Sequence, residues 1–354
     1  MSLIESGTRI GESLVVERRL GEGAFAEVHR VRHEFLGWQA MKLFKRVASL
    51  PETREMLEEA RLLSVMGHRN IVRLFDAGTV PTADGVRGFF TMEYVAGGSL
   101  ERLIEAHRGD VPVDVVVDVV GQLAAGLAVA HEQDPPILHR DLTLANVLVG
   151  YDARGMRVRI SDFGLAKRVD PFTLAASAQG TYAFMAPEVM RNEGYTCRGD
   201  VWAVGTIAYL LLTNRLPYHD GGAFSSFSLA RFRRPLLPPS RWNEAVDADL
   251  DALVMAALTV DPDGRPADAG AVLAALHARR PGRPGVPAPR DVPAPSPDRE
   301  ERARRLVAEA RELSRRAGAL EHAADLLEEA VSLSPAVRAQ YVDRLTRWRR
   351  GVTM

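Results

Sequence analysis

Between residues 281 and 298 the chain reads PGRPGVPAPRDVPAPSPD, with seven of its 21 prolines in one run. Proline lacks a backbone donor and has a fixed φ, so such a run sustains neither a helix nor a sheet ladder and reads as an extended tether. It divides the 354 residues into a large N-terminal part and a short C-terminal one. The large part has the length for a single domain of two lobes, with room for substantial cores.

Within that part the pattern changes once. Leu14–Val16, Val28–Val31, Gln39–Phe44, Leu74–Ala77 and Phe89–Glu93 are short β-prone runs separated by turn residues. One helix is interposed, starting near Pro51-Glu52 with early acids suited to the dipole, and carrying Met56, Ala60 and Leu63 at helical spacing. From Ser99 to Arg280 the pattern is mainly helical, with apolar-rich segments at 113–131, 201–213, 249–259 and 267–279. A small strand-rich lobe followed by a larger helical one is an α+β arrangement. Beyond the tether, Leu306, Ala310, Leu313, Ala317 and Leu320 follow helical steps. Ala323, Leu327 and Ala330 continue a similar face, and Ser334-Pro335 reads as a break between helices.

Four short stretches carry chemistry. Gly21 and Gly23, in GEGAFAEV, stand where the first strand turns into the second, and residues without side chains let a backbone turn approach phosphate oxygens. An ordinary glycine hairpin explains them equally well. Lys42 lies inside the apolar run Ala40-Met41-Lys42, where a cation needs a partner or an anion. Glu59, beside the Met56/Ala60/Leu63 stripe, is the expected partner; Glu58 competes but points about a third of a turn away, and a solvated glutamate is the plainer alternative. The string His139-Arg140-Asp141-Leu142-Thr143-Leu144-Ala145-Asn146 offers a carboxylate for a hydroxyl proton and, five residues on, a magnesium oxygen ligand. Asp162-Phe163-Gly164, after the β-run Val158–Ile160, offers a second magnesium carboxylate. Any one of these aspartates alone reads as a loop carboxylate capping backbone donors; the ordered set does not.

GEGAFAEV, AMK, HRDLTLAN, DFG and Ala186-Pro187-Glu188, in this order, resemble the eukaryotic-like (Hanks-type) bacterial Ser/Thr protein kinases over residues 12–280. The resemblance implies a bilobal protein-kinase fold with an N-lobe at 12–93 and a C-lobe at 96–280, the Pro-rich linker at 281–298 and a helical module at 299–350. It implies transfer of the γ-phosphoryl of Mg-ATP to a protein hydroxyl, with ATP and Mg2+ as cofactors. Asp141 is then the catalytic base, Lys42 pairs with Glu59 and contacts the α/β-phosphates, and Thr181 bonds Asp141 and shapes the acceptor pocket. Asn146 and Asp162 hold the metal, and Gly21 and Gly23 lie over the phosphates. Val28, Ala40 and Leu148 sandwich the adenine beside Met92, with the backbone of Glu93 and Val95 on its edge. Leu63, Leu74, His139 and Phe163 match the stack linking the lobes, Asp200 the anchor of the catalytic loop, and Arg265 the partner of Glu188.

The sequence departs from the family in three places. Ala26 replaces the third glycine, Leu144 the usual proline, and Thr143 the lysine that faces the γ-phosphate. Gly180-Thr181-Tyr182-Ala183-Phe184-Met185 still resembles the Ser/Thr form. Arg140 implies a phosphorylated activation segment, for which Thr173 and Ser177 supply the hydroxyls. Ala319–Val342 resembles part of a tetratricopeptide unit, although a plain helical hairpin docked on the kinase, or forming a dimer, fits somewhat better. Its apolar face is expected to meet a second copy or a partner protein through 299–350.

Composition narrows the setting. With 45 basic and 46 acidic residues there is no reason to expect a nucleic-acid or anionic-membrane partner. Cys197 is the single cysteine, the N-terminus lacks a signal-peptide layout, and the apolar run Val111–Ala130 is interrupted by Asp114, Asp118 and Gln122. A cytoplasmic protein with an unidentified protein substrate is expected. The competing readings are a pseudokinase scaffold working through its C-terminal helices, a small-molecule phosphotransferase of the aminoglycoside-kinase kind, and a helical adaptor whose kinase fold merely binds nucleotide. The second of these lacks the APE segment.

Overall fold

The computed structural model describes residues 2–23, 26–47, 67–152, 155–163, 182–218, 229–280, 297–316 and 319–349. They fall into two units, Met1–Val95 with Asp162–Ala178, and Ala96–Ser161 with Gln179–Met354.

The first unit is built on one antiparallel sheet from β1 (Arg9–Ile10), β2 (Leu14–Glu22), β3 (Ala26–His33), β4 (Gly37–Val47), β5 (Leu74–Thr82) and β6 (Gly85–Glu93). Its order is β1-β2-β3-β4-β6-β5. The five predicted strands are present and run beyond their apolar cores, because the ladder continues through polar residues such as Arg30 and Arg32. The short β1 pairs only as Arg9↔Val15 and Ile10↔Leu14, too little to show a period in sequence. Side chains alternate across the sheet. Val31, Met41, Leu43 and Phe89 therefore share one face and close a buried cluster with Ile4, Ile10, Leu14, Val16 and Val80. That burial, at about 25 cal/mol per Å2 of apolar surface, is the main term holding the sheet. The helix expected from Pro51, with Glu59 and Leu63, lies outside the described residues.

The second unit carries α1 (Leu100–Ala106), α2 (Val113–His131), the hairpin β7 (Val147–Asp152) and β8 (Gly155–Ile160), α3 (Pro187–Met190), α4 (Cys197–Thr213), α5 (Ala248–Ala257) and α6 (Ala269–Ala278). The four predicted apolar segments become α2, α4, α5 and α6. Helix α4 starts earlier than expected because its first turn holds Gly199 and Asp200, which do not read as apolar yet are buried. Asp247 and Asp268 cap α5 and α6, accepting from Leu250 N at 2.9 Å and Ala271 N at 2.8 Å. Among the described residues α2 alone has the length and apolarity to cross a membrane. Here it is a core helix, packed on α4, α6 and β8. Gln122, one of the residues that interrupts its apolar run, ties it to the hairpin. Its amide donates to Met156 O at 3.0 Å and its oxygen accepts from Val158 N at 2.9 Å.

Three helices follow the tether, α7 (Pro297–Leu313), α8 (Leu320–Leu333) and α9 (Pro335–Arg349). Helix α7 begins two residues before the expected boundary, with proline tolerated at its first turn and Asp298 and Glu300 at its positive end. Ala310 of the predicted stripe is buried, together with Ala303 and Val307 where α8 packs, while Leu306 and Leu313 sit half-buried at the margin. On α8 the predicted Ala323, Leu327 and Ala330 are buried. Pro335 opens α9 at the expected break. The tetratricopeptide likeness gains no support. Helices α8 and α9 instead pack on β7 of the same chain, and α8 also reaches α1. Glu328 Oε1 accepts from Tyr151 N at 3.3 Å, and the Arg338 guanidinium lies over the Tyr151 ring at 4.4 Å. Arg349 closes the group on Asp325 at 2.7 Å and Glu328 at 2.6 Å. The apolar face thus meets its own domain. Leu327→Ala, at a position with 0% exposure, is expected to cost about 2–5 kcal/mol, read as a lower thermal midpoint of the intact chain.

Candidate active site

The candidate residues of the first unit are brought together by strand register. Directly opposed residues share a face, and the pairs Val28↔Lys42, Ala40↔Met92 and Lys42↔Phe90 place Val28, Ala40, Lys42 and Met92 together. This face is opposite the Met41/Leu43 cluster. Lys42 Nζ ion-pairs Asp162 Oδ1 at 2.8 Å, with 16% and 19% of the two side chains exposed. Asp162 and Phe163 fall in the first unit. The expected partner of Lys42, Glu59, lies outside the described residues. The Glu93 amide donates to Arg73 O at 2.8 Å, and Val95 is buried at the end of the unit. Leu74 is half-buried at the start of β5, and Phe163 is buried. Gly21, next to last in β2, pairs with Val28, and the Gly23 amide donates to Ala26 O at 2.9 Å. Neither glycine has a positive φ. A Cβ at Gly21 would meet nothing within 4 Å, and one at Gly23 only Ala26 O at 3.9 Å. The described protein therefore does not itself demand glycine there, which fits a turn kept bare for an outside group.

The candidate residues of the second unit lie in a loop between α2 and β7. Asn146 Nδ2 donates to Asp141 O at 2.7 Å and to Asp141 Oδ2 at 3.1 Å. The five-residue spacing thus closes on itself. It uses the amide nitrogen of Asn146 and leaves the amide oxygen as the atom chemically suited to a cation. The Asn146 carbonyl accepts from Ser161 N at 2.8 Å and Ser161 Oγ at 3.0 Å, while its own amide donates to Thr143 O at 3.2 Å. His139 is fully buried. Its Nε2 donates to Ser161 O at 2.8 Å, so Nδ1 is the acceptor facing the Asp141 amide at 3.3 Å. Leu148 is half-buried on β7 and forms a bridge with Ser99. Arg140 in this loop has φ 70, a left-handed value that costs a non-glycine residue about 1–2 kcal/mol; in the first unit Asp162 has φ 61.

Asp200 on α4 fixes this loop. Its Oδ2 accepts from His139 N at 2.8 Å and His131 Nε2 at 3.0 Å. Its Oδ1 accepts from Arg140 N at 3.0 Å and Tyr195 OH at 2.6 Å. Burial alone would raise the carboxyl, but the bond from His131, the nearby His139 and the bond from Tyr195 hold it below its ordinary value of 3.8. Tyr195, buried beside that carboxylate, is pushed well above the usual phenol range. The sequence identified Asp200 as the anchor but gave no sign of His131 or Tyr195, which lie far along the chain or in an unremarkable loop. Farther out, Arg265 grips Glu188 through two bonds of 2.8 Å and also donates to Thr259 O and Val260 O. Thr181, Thr173 and Ser177 lie outside the described residues.

The protein kinase domain family matches residues 14–277. The chain is 35% identical over 278 residues to the serine/threonine-protein kinase Pkn1 of Myxococcus xanthus, covering 77% of this chain and 38% of the relative. It is 29% identical over 254 residues to PknB of Mycobacterium leprae, covering 70% and 39%. The chain thus spans well under half the length of these curated relatives. Among solved structures, the PknI kinase domain of Mycobacterium tuberculosis is similar with TM-score 0.57 and 26% identity, over 78% of this chain and 99% of that one. The ordered motifs, the Asp141–Asn146 loop hung on Asp200 and the family match agree, and the chain belongs to the protein kinase family.

Proposed function

We propose that the protein is a serine/threonine kinase that transfers the γ-phosphoryl group of ATP to a protein hydroxyl and phosphorylates itself. The observation that carries this reading is the Asp141 carboxylate, steadied by Asn146 in a loop bonded through its backbone to a buried aspartate. A positioned carboxylate can accept the proton of the attacking hydroxyl as its oxygen bonds to phosphorus and the bond to ADP breaks. Lys42 supplies a half-buried cation for the phosphates, and the adenine would lie against Val28, Ala40 and Met92. Because the Glu93 amide is spent on Arg73 O, its share of the adenine edge falls to the carbonyl. Asn146 and Asp162 are the residues to hold magnesium, whose charge when bound offsets that of the phosphates. The donor set of one lysine, two carboxylates and one amide fits Mg-ATP.

The experiment is transfer from γ-labelled ATP with Mg2+ onto the protein itself and onto myelin basic protein. Incorporated label, mapped to serine or threonine, is the expected result; nucleotide binding without transfer would favour a scaffold. Thr143 is the observation on the scaffold's side, since it replaces a cation at the phosphoryl end of the loop. Restoring it with Thr143→Lys is expected to raise kcat by about tenfold, a gain of roughly 1.4 kcal/mol in the transition state. Steady-state rates at saturating ATP check it.

A further inference from the structure

Arg231 stands in ARFRR, a run that reads in sequence as a solvated basic stretch. It sits in the short 3-10 turn Leu229–Arg233. Arg233 and Arg234 are exposed, but Arg231 is only 6% exposed. Its Nη2 donates to Tyr182 O at 3.0 Å and, at the limit of reach, to Met185 O at 3.5 Å, with Met190 Sδ at 3.6 Å. The guanidinium carbon lies 4.5 Å from the centre of the Phe232 ring. Among the described residues no carboxylate pairs with it. Burial lowers its pKa to about 10, so it remains charged at neutral pH.

A buried cation without a carboxylate destabilises a fold. Arg265, equally buried, is offset by Glu188. Arg231 instead spends its donors on main-chain carbonyls of the segment that leads from Thr181 into Ala186-Pro187-Glu188. Side chains in that segment can vary without disturbing such a grip, because only backbone oxygens are held. A cost that no carboxylate among the described residues offsets, directed at one loop, points to a demand for that loop's position. Resting on the kinase reading, in which this segment receives the acceptor protein, we infer that Arg231 is a positioning residue for the acceptor side of the site.

The test uses the full chain with Arg231→Met and Arg231→Lys, with myelin basic protein as acceptor. For Arg231→Met, the KM for the acceptor is expected to rise about tenfold, the worth of one bond to a charged group, while the KM for ATP stays within about twofold. Its thermal midpoint is expected to hold or rise, since a buried charge has gone. Arg231→Lys should recover part of the acceptor KM, because an ammonium can still reach one carbonyl. Independently of catalysis, amide hydrogen exchange in a peptide spanning 182–190 should quicken about tenfold in Arg231→Met, with α4 unchanged. An unchanged acceptor KM would overturn the inference, as would parallel losses in ATP KM and thermal midpoint. If the wild-type protein transfers nothing to protein, the kinase reading falls. The exchange measurement then still decides whether Arg231 holds this segment, and unaltered exchange would overturn it.

Discussion

Asp141→Asn is expected to lower phosphoryl transfer at least about 100-fold, the low end for removing a general base, with the fold and nucleotide binding retained. The substitution keeps shape and volume. The new amide still offers an oxygen to Asn146 Nδ2, which lies 3.1 Å from the carboxylate today. The backbone bond from Asn146 to Asp141 O at 2.7 Å is untouched. What disappears is proton-accepting capacity, because an amide oxygen does not take up a proton near neutral pH. The loss should therefore fall on kcat, with the KM for ATP changed by less than about threefold and a stability change within about 0.5 kcal/mol. Steady-state kinetics beside a thermal melt separate these quantities. Transfer at wild-type rate would remove Asp141 from the chemistry; loss of transfer with a collapsed melt would show that its role is to hold the loop.

The parts of this site that sequence made legible are those whose function needs a fixed local spacing. Asp141 and Asn146 lie within one loop, and five residues suffice to bring the amide back to the carboxylate. Val28, Ala40 and Met92 could be assigned to one pocket because strand alternation and a family likeness agree, and the ladder puts them on one face. Contacts that depend on distant parts of the chain were not legible in the same way. Lys42 pairs with Asp162, 120 positions away, and nothing in the local pattern of either residue encodes that contact; Glu59 lies outside the described residues. On α7 the expected Ala310 is buried, but Ala303 and Val307 are buried beside it and Leu306 and Leu313 only half-buried, because a close helix-helix approach favours the smaller side chains at its centre. Arg231 was hidden among arginines that do lie in solvent. Tyr151 gave no hint that two helices more than 170 residues on would bond its amide and cover its ring. Local periodicity names the faces of elements. It does not name what each face meets.

Asp200→Ala tests the most connected of these distant contacts and is expected to cost about 3–5 kcal/mol, the range found when one partner of a buried charged network is removed. Asp200 has 0% exposure, and its carboxylate accepts from His139 N, Arg140 N, His131 Nε2 and Tyr195 OH. Alanine strands these donors in a space too apolar to solvate them, at about 1–3 kcal/mol for each that finds no other acceptor. For a chain of this size the thermal midpoint should fall by roughly 6–20 °C. The effect should reach catalysis as well, since two of the four donors are the amides immediately before Asp141. Without them Arg140 is free to leave its left-handed φ of 70, and Asp141 turns with it. Asp200→Asn should not rescue the fold fully, because its NH2 group would face donors. Acidity supplies an independent check. Burial raises the Asp200 carboxyl, but its hydrogen bonds and the nearby histidines hold it below its ordinary value of 3.8. A carboxyl held low in the folded state contributes stability that is complete above its unfolded value and is lost as pH falls through the folded one. The gap between wild type and Asp200→Ala in denaturant midpoints should therefore be constant from about pH 5 to pH 8 and narrow only below about pH 4. A gap that does not narrow in acid would show that the carboxylate's charge adds nothing to stability.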